Sequence, residues 1–421
     1  MGINVLIVGS GGREHAIAWK LAQSSKLKKL WAIPGNTGID NYAETVDIQE
    51  TDIDTICKFV EDKAIDLTII GPEIPLAAGI TDMLTYQGFR VVGPTKAAAQ
   101  LETSKSFAKK IMRENNIPTA HSETFTDATL AKEYVNQLDS LVVIKADGLA
   151  AGKGVTVCDN LEEAETAIKK ILIEKAYGDA GKKILVEERM FGRETSAHAF
   201  TDGINVKHMP FSCDHKPVYD NNLGPNTGGM GVYSPPTWLT EEIKKDIEQN
   251  ITERAIKSMA QNETPYTGIL YPGLMLTETG PRVVEFNARF GDPETEVLLP
   301  KLETDLLEIF DAIGDKRLSE VKVEWNDNAS VGVILASGGY PDSYEIGKPI
   351  HGLENIDSNV QIFMSGVMSD DNDNLYTAGG RVLCVVASGT SIDEARELAY
   401  SNVNRISFEG MHYRTDIGSV L

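Results

Sequence analysis

Apolar residues near the amino terminus come in short blocks separated by amphipathic stretches. Asn4–Gly9 (NVLIVG) is an almost continuous apolar run and predicts a buried strand. Arg13 to Gln23 carries helical periodicity. LKKLWAIP (27–34), IDLTIIGP (65–72) and FRVVGP (89–94) predict further strands, with helical segments between them. Strand–helix alternation of this kind predicts an open parallel sheet. Ligands of such sheets sit at the carboxyl ends of the strands. Gly9, Pro34-Gly35-Asn36, Gly71-Pro72-Glu73 and Gly93-Pro94 fall there.

The pattern then changes. Ser104 to Asn115 reads as a helix, closed by Ile117-Pro118. Residues 119–190 read as a smaller α+β unit with strands at 141–146, 155–159 and 184–188 and a helix over 161–175. Strands return at 193–211 and 268–287, around a glycine-rich loop (221–231) and a long helix from near Thr240. SVGVILAS, RVLCVVAS and a helix from Ile392 make up the last section. The expected fold class is therefore α/β and α+β multidomain. Its parts are an N-terminal open parallel α/β sheet (1–102), a central domain (103–310) with a mobile lid at about 119–190, and a small C-terminal α+β domain (325–421). Asp370 to Asn374 is acidic but lacks the glycine and distant glutamate of a calcium loop, so it reads as a turn.

Charge narrows the partners. With 62 acidic and 40 basic residues the net charge is −22, which argues against a nucleic-acid footprint but leaves small phosphate ligands open. Cys57, Cys158, Cys213 and Cys384 form no CxxC pair, which fits a reducing cytoplasm better than a disulfide framework. No apolar run approaches the ~18 residues of a membrane span. The chain opens directly on a strand, so no signal peptide is expected.

Five segments carry candidate chemistry. Gly9-Ser10-Gly11-Gly12-Arg13-Glu14 joins a strand to a helix, where backbone N–H groups hold a phosphate or make a tight turn. Glu14 in place of the last fingerprint glycine, and no ribose-binding carboxylate after Ile33, speak against NAD. Lys145 to Gly154 (KADGLAAGKG) is a hairpin loop between strands, so it is no Walker loop. Its Gly152, Lys153 and Gly154 suit phosphate oxygens. Lys145 ends an apolar strand, and an anionic ligand is favoured over a structural ion pair as its partner. Glu187, Glu188 and Glu194 flank a strand-to-strand passage. Glu285 and Asn287 point to one face of a strand and offer hard oxygens for a divalent ion. Arg289 continues that face, toward Asp292 and Glu294. Asp214-His215-Lys216 precedes a loop dense in glycine (223–231), which suits closure over a reacting centre. His15, His121, His198 and His208 show no partner pattern.

The order of a helix lysine (Lys105), a strand lysine (Lys145), a glycine-rich flap, paired glutamates and Glu-x-Asn resembles the ATP-grasp fold. GSGGREHA, GPE, KADGLAAGKGV, DHK, GPNTGGMG and EFNARFGDPET, in order over the whole chain, resemble the phosphoribosylamine–glycine ligase (glycinamide ribonucleotide synthetase) family. The resemblance implies a central ATP-grasp fold and a ligase for glycine, 5-phosphoribosylamine and ATP that works through a glycyl phosphate. Lys105, Lys145 and the flap would take ATP phosphates, Glu187 and Glu188 would lie at adenine, and Glu194 at the ribose. Glu285 and Asn287 would hold Mg²⁺ or Mn²⁺. Lys216 and Arg289 would cancel charge, and Asp214 would hold the glycine ammonium. Gly11, Gly12, Arg13, Glu14 and Glu73 would face phosphoribosylamine, with Asp292 and Glu294 in the substrate set. Many ATP-grasp enzymes add an acidic ligand on the preceding strand, and 268–276 has none. Neither nucleic acid nor membrane is expected as a partner, and a monofunctional monomer is. The alternatives are a sister ATP-grasp ligase, a dehydrogenase and a nucleotide sensor. The first should lack Asp214-His215-Lys216 with GPNTGGMG, and a sensor has no need of acyl-phosphate chemistry.

Overall fold

A computed structural model describes residues 2–138, 140–150 and 153–419. The amino-terminal sheet has five strands, all parallel, in the order Glu44–Thr45, Leu27–Pro34, Ile3–Gly9, Leu67–Ile70, Val91–Val92. The chain moves outward one way from Ile3–Gly9 and then restarts on its other side. The crevice at this reversal lies between Gly9 and Gly71. Helices cover both faces, which is why the strands carry apolar residues on both sides: Val5 and Ile7 enter one core, Leu6 and Val8 the other.

Residues 122–188 form a four-stranded antiparallel sheet in the order Ser122–Phe125, Ile184–Glu188, Val142–Ala146, Val155–Val157. It has its own core. Val142, Ile144, Ile184 and Val186 pack against Ala131 and Val135 of one helix and Ala164 and Ile168 of another. The alternation of side chains then turns Val143, Lys145, Leu185 and Glu187 to the opposite face. The helix read over 161–175 is α-helical at Leu161–Ile168 and continues as a π-turn, Lys169–Ile173.

The body of the central domain is a sheet built on the long strand Thr267–Thr277. Arg193–Ser196 and Ala199–Asp202 pair with one of its edges and Gly280–Asn287 with the other. The carboxyl-terminal sheet runs Cys213–Asp214, Gly231–Ser234, Ala329–Ala336, Arg381–Gly389, Gln361–Met364. Its first two strands come from the middle of the chain, so a linear division near 325 is crossed by backbone pairing. Asp214-His215-Lys216 and the glycine-rich loop hang from these two strands. Asp370 accepts from the backbone of Asn372 and Asn374, which makes 370–374 a turn. Among the described residues no helix is long and apolar enough to cross a membrane.

Candidate active site

Four separate segments meet at Glu285. It lies on Gly280–Asn287, where the pairing shifts between Gly273 and Leu274 and leaves Val284 without an opposite number. A bulge of this kind frees a backbone carbonyl from the ladder. That carbonyl accepts from Lys145 Nζ at 3.2 Å. Burial pushes the Glu285 carboxyl up, but Lys216, Lys145, Lys105 and Arg289 together overcome it and leave Glu285 below its ordinary value. Asn287, two residues on, is 8% exposed, and its Nδ2 donates to the Tyr271 carbonyl at 3.5 Å.

Lys145 has a protein partner. Its Nζ lies 2.9 Å from Glu187 Oε2, and the pair is nearly buried. The register explains this: Val143 faces Glu187 and Lys145 faces Leu185, so the two charges are diagonal neighbours on one face. The expectation that a ligand anion alone would satisfy Lys145 is therefore revised, because an ion pair occupies it. Glu187 is buried, whereas Glu188 is exposed and lies 3.6 Å from Arg282. Lys109, which the sequence reading passed over, shares the same Glu187 oxygen at 3.4 Å. It follows Lys105 by one helical turn on Lys105–Glu114, a spacing that puts both lysines on one face.

The flap is tied to that helix. Asp147 accepts from the Ser106 backbone at 2.6 Å and from Ser104 Oγ at 3.2 Å, and Lys105 Nζ donates to the Gly148 carbonyl at 3.4 Å. Gly154 is buried and its carbonyl accepts from Ala146. The Lys153 side chain is exposed and its carbonyl accepts from Tyr177. Gly152 lies outside the described residues.

On the far side of Glu285, Lys216 Nζ lies 3.0 Å from Glu194 and 3.7 Å from Asp214. Burial drives the Asp214 carboxyl up to about 7; Lys216 pulls it down, and Glu294 and Glu194 push it further up. Glu294 is buried and accepts from the Tyr271 hydroxyl and, at 3.2 Å, from Ser196 Oγ. His198 stacks on Tyr271 with ring centroids 4.1 Å apart, and burial lowers it to about 3.

Arg289 stands where the sheets of the first two domains meet. Its guanidinium lies 3.2 Å from Glu73, at the crevice, and 3.1 Å from Glu102. Sequence alone showed no sign of Glu102, which comes from a short helix 186 residues from the Ala288 amide it accepts. Arg289 thus braces the crevice, its charge already matched by two carboxylates.

The glycine-rich loop at 9–14 brings its own anion. The Gly11 amide donates to Glu14 Oε2 at 2.6 Å, the half of a capping box that a glycine N-cap allows, and Arg13 Nε pairs with the same carboxylate. A side chain on Gly71 would place Cβ 2.0 Å from Glu14 Oε1, and Gly9, at φ +130°, would meet Glu14 Cδ at 2.7 Å. The loop is a tight turn closed by Glu14, which accepts from the Gly11 amide. Asp292 accepts from the Arg13 amide at 3.4 Å and pairs with Arg381 at 2.9 Å. Gly12 packs beside the buried Glu296, another residue the motifs did not reveal.

Family models cover these parts in order. Residues 3–102 match the phosphoribosylglycinamide synthetase N domain, 103–295 its ATP-grasp (A) domain and 330–420 its C domain. A phosphoribosylamine–glycine ligase of Vibrio vulnificus (strain CMCP6) is 46% identical over 420 residues, which cover 99% of this chain and 98% of that one. The chain belongs to the phosphoribosylglycinamide synthetase family. Another such ligase, of Halalkalibacterium halodurans, is 45% identical over 418 residues, covering 99% of this chain and 97% of the relative. The crystal structure of a phosphoribosylamine–glycine ligase from Thermotoga maritima superposes with a TM-score of 0.85 at 33% identity, covering 98% of this chain and all of that one. The biotin carboxylase domain of a Hydrogenobacter thermophilus 2-oxoglutarate carboxylase, at 15% identity and a TM-score of 0.74, shares the fold. In the family's terms, the cationic cluster around Glu285 lies in the A domain, and the crevice at Glu73 belongs to the N domain.

Proposed function

We propose that the chain joins glycine to 5-phosphoribosylamine at the expense of ATP, with activation of glycine at the Glu285 cluster. It is an ATP-dependent ligase whose products are glycinamide ribonucleotide, ADP and phosphate. A glycine carboxylate oxygen attacks the γ-phosphorus and ADP leaves. The amine of phosphoribosylamine then attacks the acyl carbon, phosphate leaves with the bridging oxygen, and the amine gives up a proton.

The observation that carries this reading is the convergence of Lys105, Lys145 and Lys216 on Glu285. A carboxylate approaching a triphosphate brings like charges together, so the protein's work is positioning and neutralisation. Lys105 and Lys145 take the phosphates, with Lys153, Gly154 and the loop around them closing as a flap. The 119–190 unit, with a core of its own, moves as the lid. Glu187 and Glu188 end the strand against which adenine lies, and Glu194 takes the ribose. Lys216 neutralises charge at the transferred group, and Asp214 holds the glycine ammonium beside it.

Glu285 and Asn287 would hold a divalent cation, Mg²⁺ or Mn²⁺. One carboxylate and one amide oxygen fit an ion that takes its remaining ligands from phosphates and water. Held there, such an ion would supply positive charge to offset that of the phosphates. Among the described residues no group of three or more His, Cys, Asp or Glu could hold a metal ion. Arg289 positions Glu73 at the crevice, where Gly11, Gly12, Arg13, Glu14, Asp292 and Glu294 form the wall facing phosphoribosylamine. The four thiols, unpaired in the structure, suit a reducing cytoplasm, and the proposed state is a monomer.

The test is phosphate release with ATP, glycine and freshly prepared phosphoribosylamine. Release should require all three. Release of equal rate without glycine would overturn the reading.

A further inference from the structure

Glu187 is 2% exposed and carries two lysines on one oxygen, Lys145 at 2.9 Å and Lys109 at 3.4 Å. The two ammonium groups are held differently. Lys109 also donates to Thr119 Oγ1 at 2.9 Å and to the Ala120 carbonyl at 3.0 Å, so all three of its hydrogens are engaged. Thr119 in turn donates to the Val283 carbonyl at 2.7 Å, and the Val283 amide donates to the Pro118 carbonyl at 2.8 Å. Lys109 is thus pinned to the entry of the lid and to the central sheet. Among the described residues Lys145 has Glu187 and the bulge carbonyl of Val284 as partners, which leaves one hydrogen for another acceptor.

We propose that Lys109 is a positioning residue that serves as the standing counter-ion of Glu187, so that Lys145 is free to turn to the phosphates of ATP. This rests on the assignment of Lys145 to those phosphates. Two cations share one anion in the free protein. When a polyphosphate draws on Lys145, Glu187 would be left as a buried, unpaired carboxylate, an expensive state. Lys109 prevents it. Burial lowers the Lys109 ammonium to about 8, with Glu187 raising it and Lys145 lowering it, as expected of a second cation in a crowded, nearly dry site.

The test uses the full chain and ATP with Mg²⁺, measured by calorimetric titration and by steady-state kinetics. Lys109→Met should weaken ATP binding about tenfold or more, the size of coupling between charges that touch. The loss should appear in KM for ATP, with kcat at saturation changed less than about threefold, because ground-state binding is what suffers. Lys109→Arg, which keeps the charge, should restore ATP binding. The deciding comparison is made in Glu187→Gln, where no carboxylate can be orphaned. There the additional Lys109→Met should change ATP affinity by less than about twofold. Lys109→Gln, which keeps donors for Thr119 and Ala120 but carries no charge, replaces Lys109→Met if the latter does not fold. If Lys145→Met binds ATP as the parent does, the assignment of Lys145 fails and this inference falls with it. If Lys145→Met is weakened while Lys109→Met is not, or if Lys109→Met loses as much in Glu187→Gln as alone, the counter-ion role alone is overturned.

Discussion

Asp214 holds a charge against its surroundings, and removing that charge should make the protein more stable and less able to use glycine. The side chain is 4% exposed, and burial raises its carboxyl from 3.8 to about 7, only partly offset by Lys216 at 3.7 Å. A group whose folded pKa lies above its unfolded value contributes stability that is complete below the unfolded value. That contribution disappears as pH rises through the folded one. Between pH 3.8 and about 7 the folded protein binds the extra proton, so this residue lowers stability by up to about 1.4 kcal/mol per pH unit. The accumulated ceiling is about 4 kcal/mol by pH 8. The attraction of Lys216, which keeps Glu194 at 3.0 Å, is already counted in that raised value, so Asp214→Asn should be more stable near pH 8 by at most this ceiling. Urea unfolding of the two proteins from pH 4.5 to pH 8.5 should give midpoints that converge in acid and separate toward neutrality. The same substitution should raise KM for glycine while leaving ATP affinity within about twofold. In the parent, KM for glycine should climb as pH falls below about 7. Stability curves that run parallel from acid to alkali would refute the argument that burial dominates at Asp214.

Glu285→Gln should raise the Mg²⁺ concentration needed for half-maximal activity roughly tenfold or more, since a neutral oxygen replaces the one carboxylate of the pair. A normal metal titration removes Glu285 from the site. Gly71→Ala should lose about 1–3 kcal/mol in thermal or urea unfolding, because its new methyl meets Glu14 at 2.0 Å and Glu14 is held by Gly11 and Arg13. Its KM for phosphoribosylamine should rise with that for ATP unchanged. A variant as stable as the parent would show that Glu14 moves freely.

Much of this architecture was legible because local pattern and final surroundings agree. Ile184–Glu188 and Arg381–Gly389 are strands where their apolar runs predict them, and the first five strands place Gly9, Gly71 and Glu73 at the crevice as alternation implies. Glu285 and Asn287 were visible through their period of two. What stayed hidden depends on distance along the chain. Nothing near Lys145 announces Glu187, 42 residues later, because only the antiparallel register makes them neighbours. Nothing near Arg289 announces Glu73, 216 residues earlier. Glu14 was read as a departure from a fingerprint, yet its meaning is local: three residues from Gly11, it caps the helix itself. Lys109 had a signal, its one-turn spacing from Lys105, but a lysine on an amphipathic helix is ordinarily a solvated one.

In the proposed reaction glycine's carboxylate is phosphorylated before the new bond forms. Turnover of glycine carrying ¹⁸O in both carboxyl oxygens tests this most directly, with mass analysis of both products. One labelled oxygen should leave in inorganic phosphate and the other should stay in the amide of glycinamide ribonucleotide. Inorganic phosphate free of label after complete turnover would contradict it.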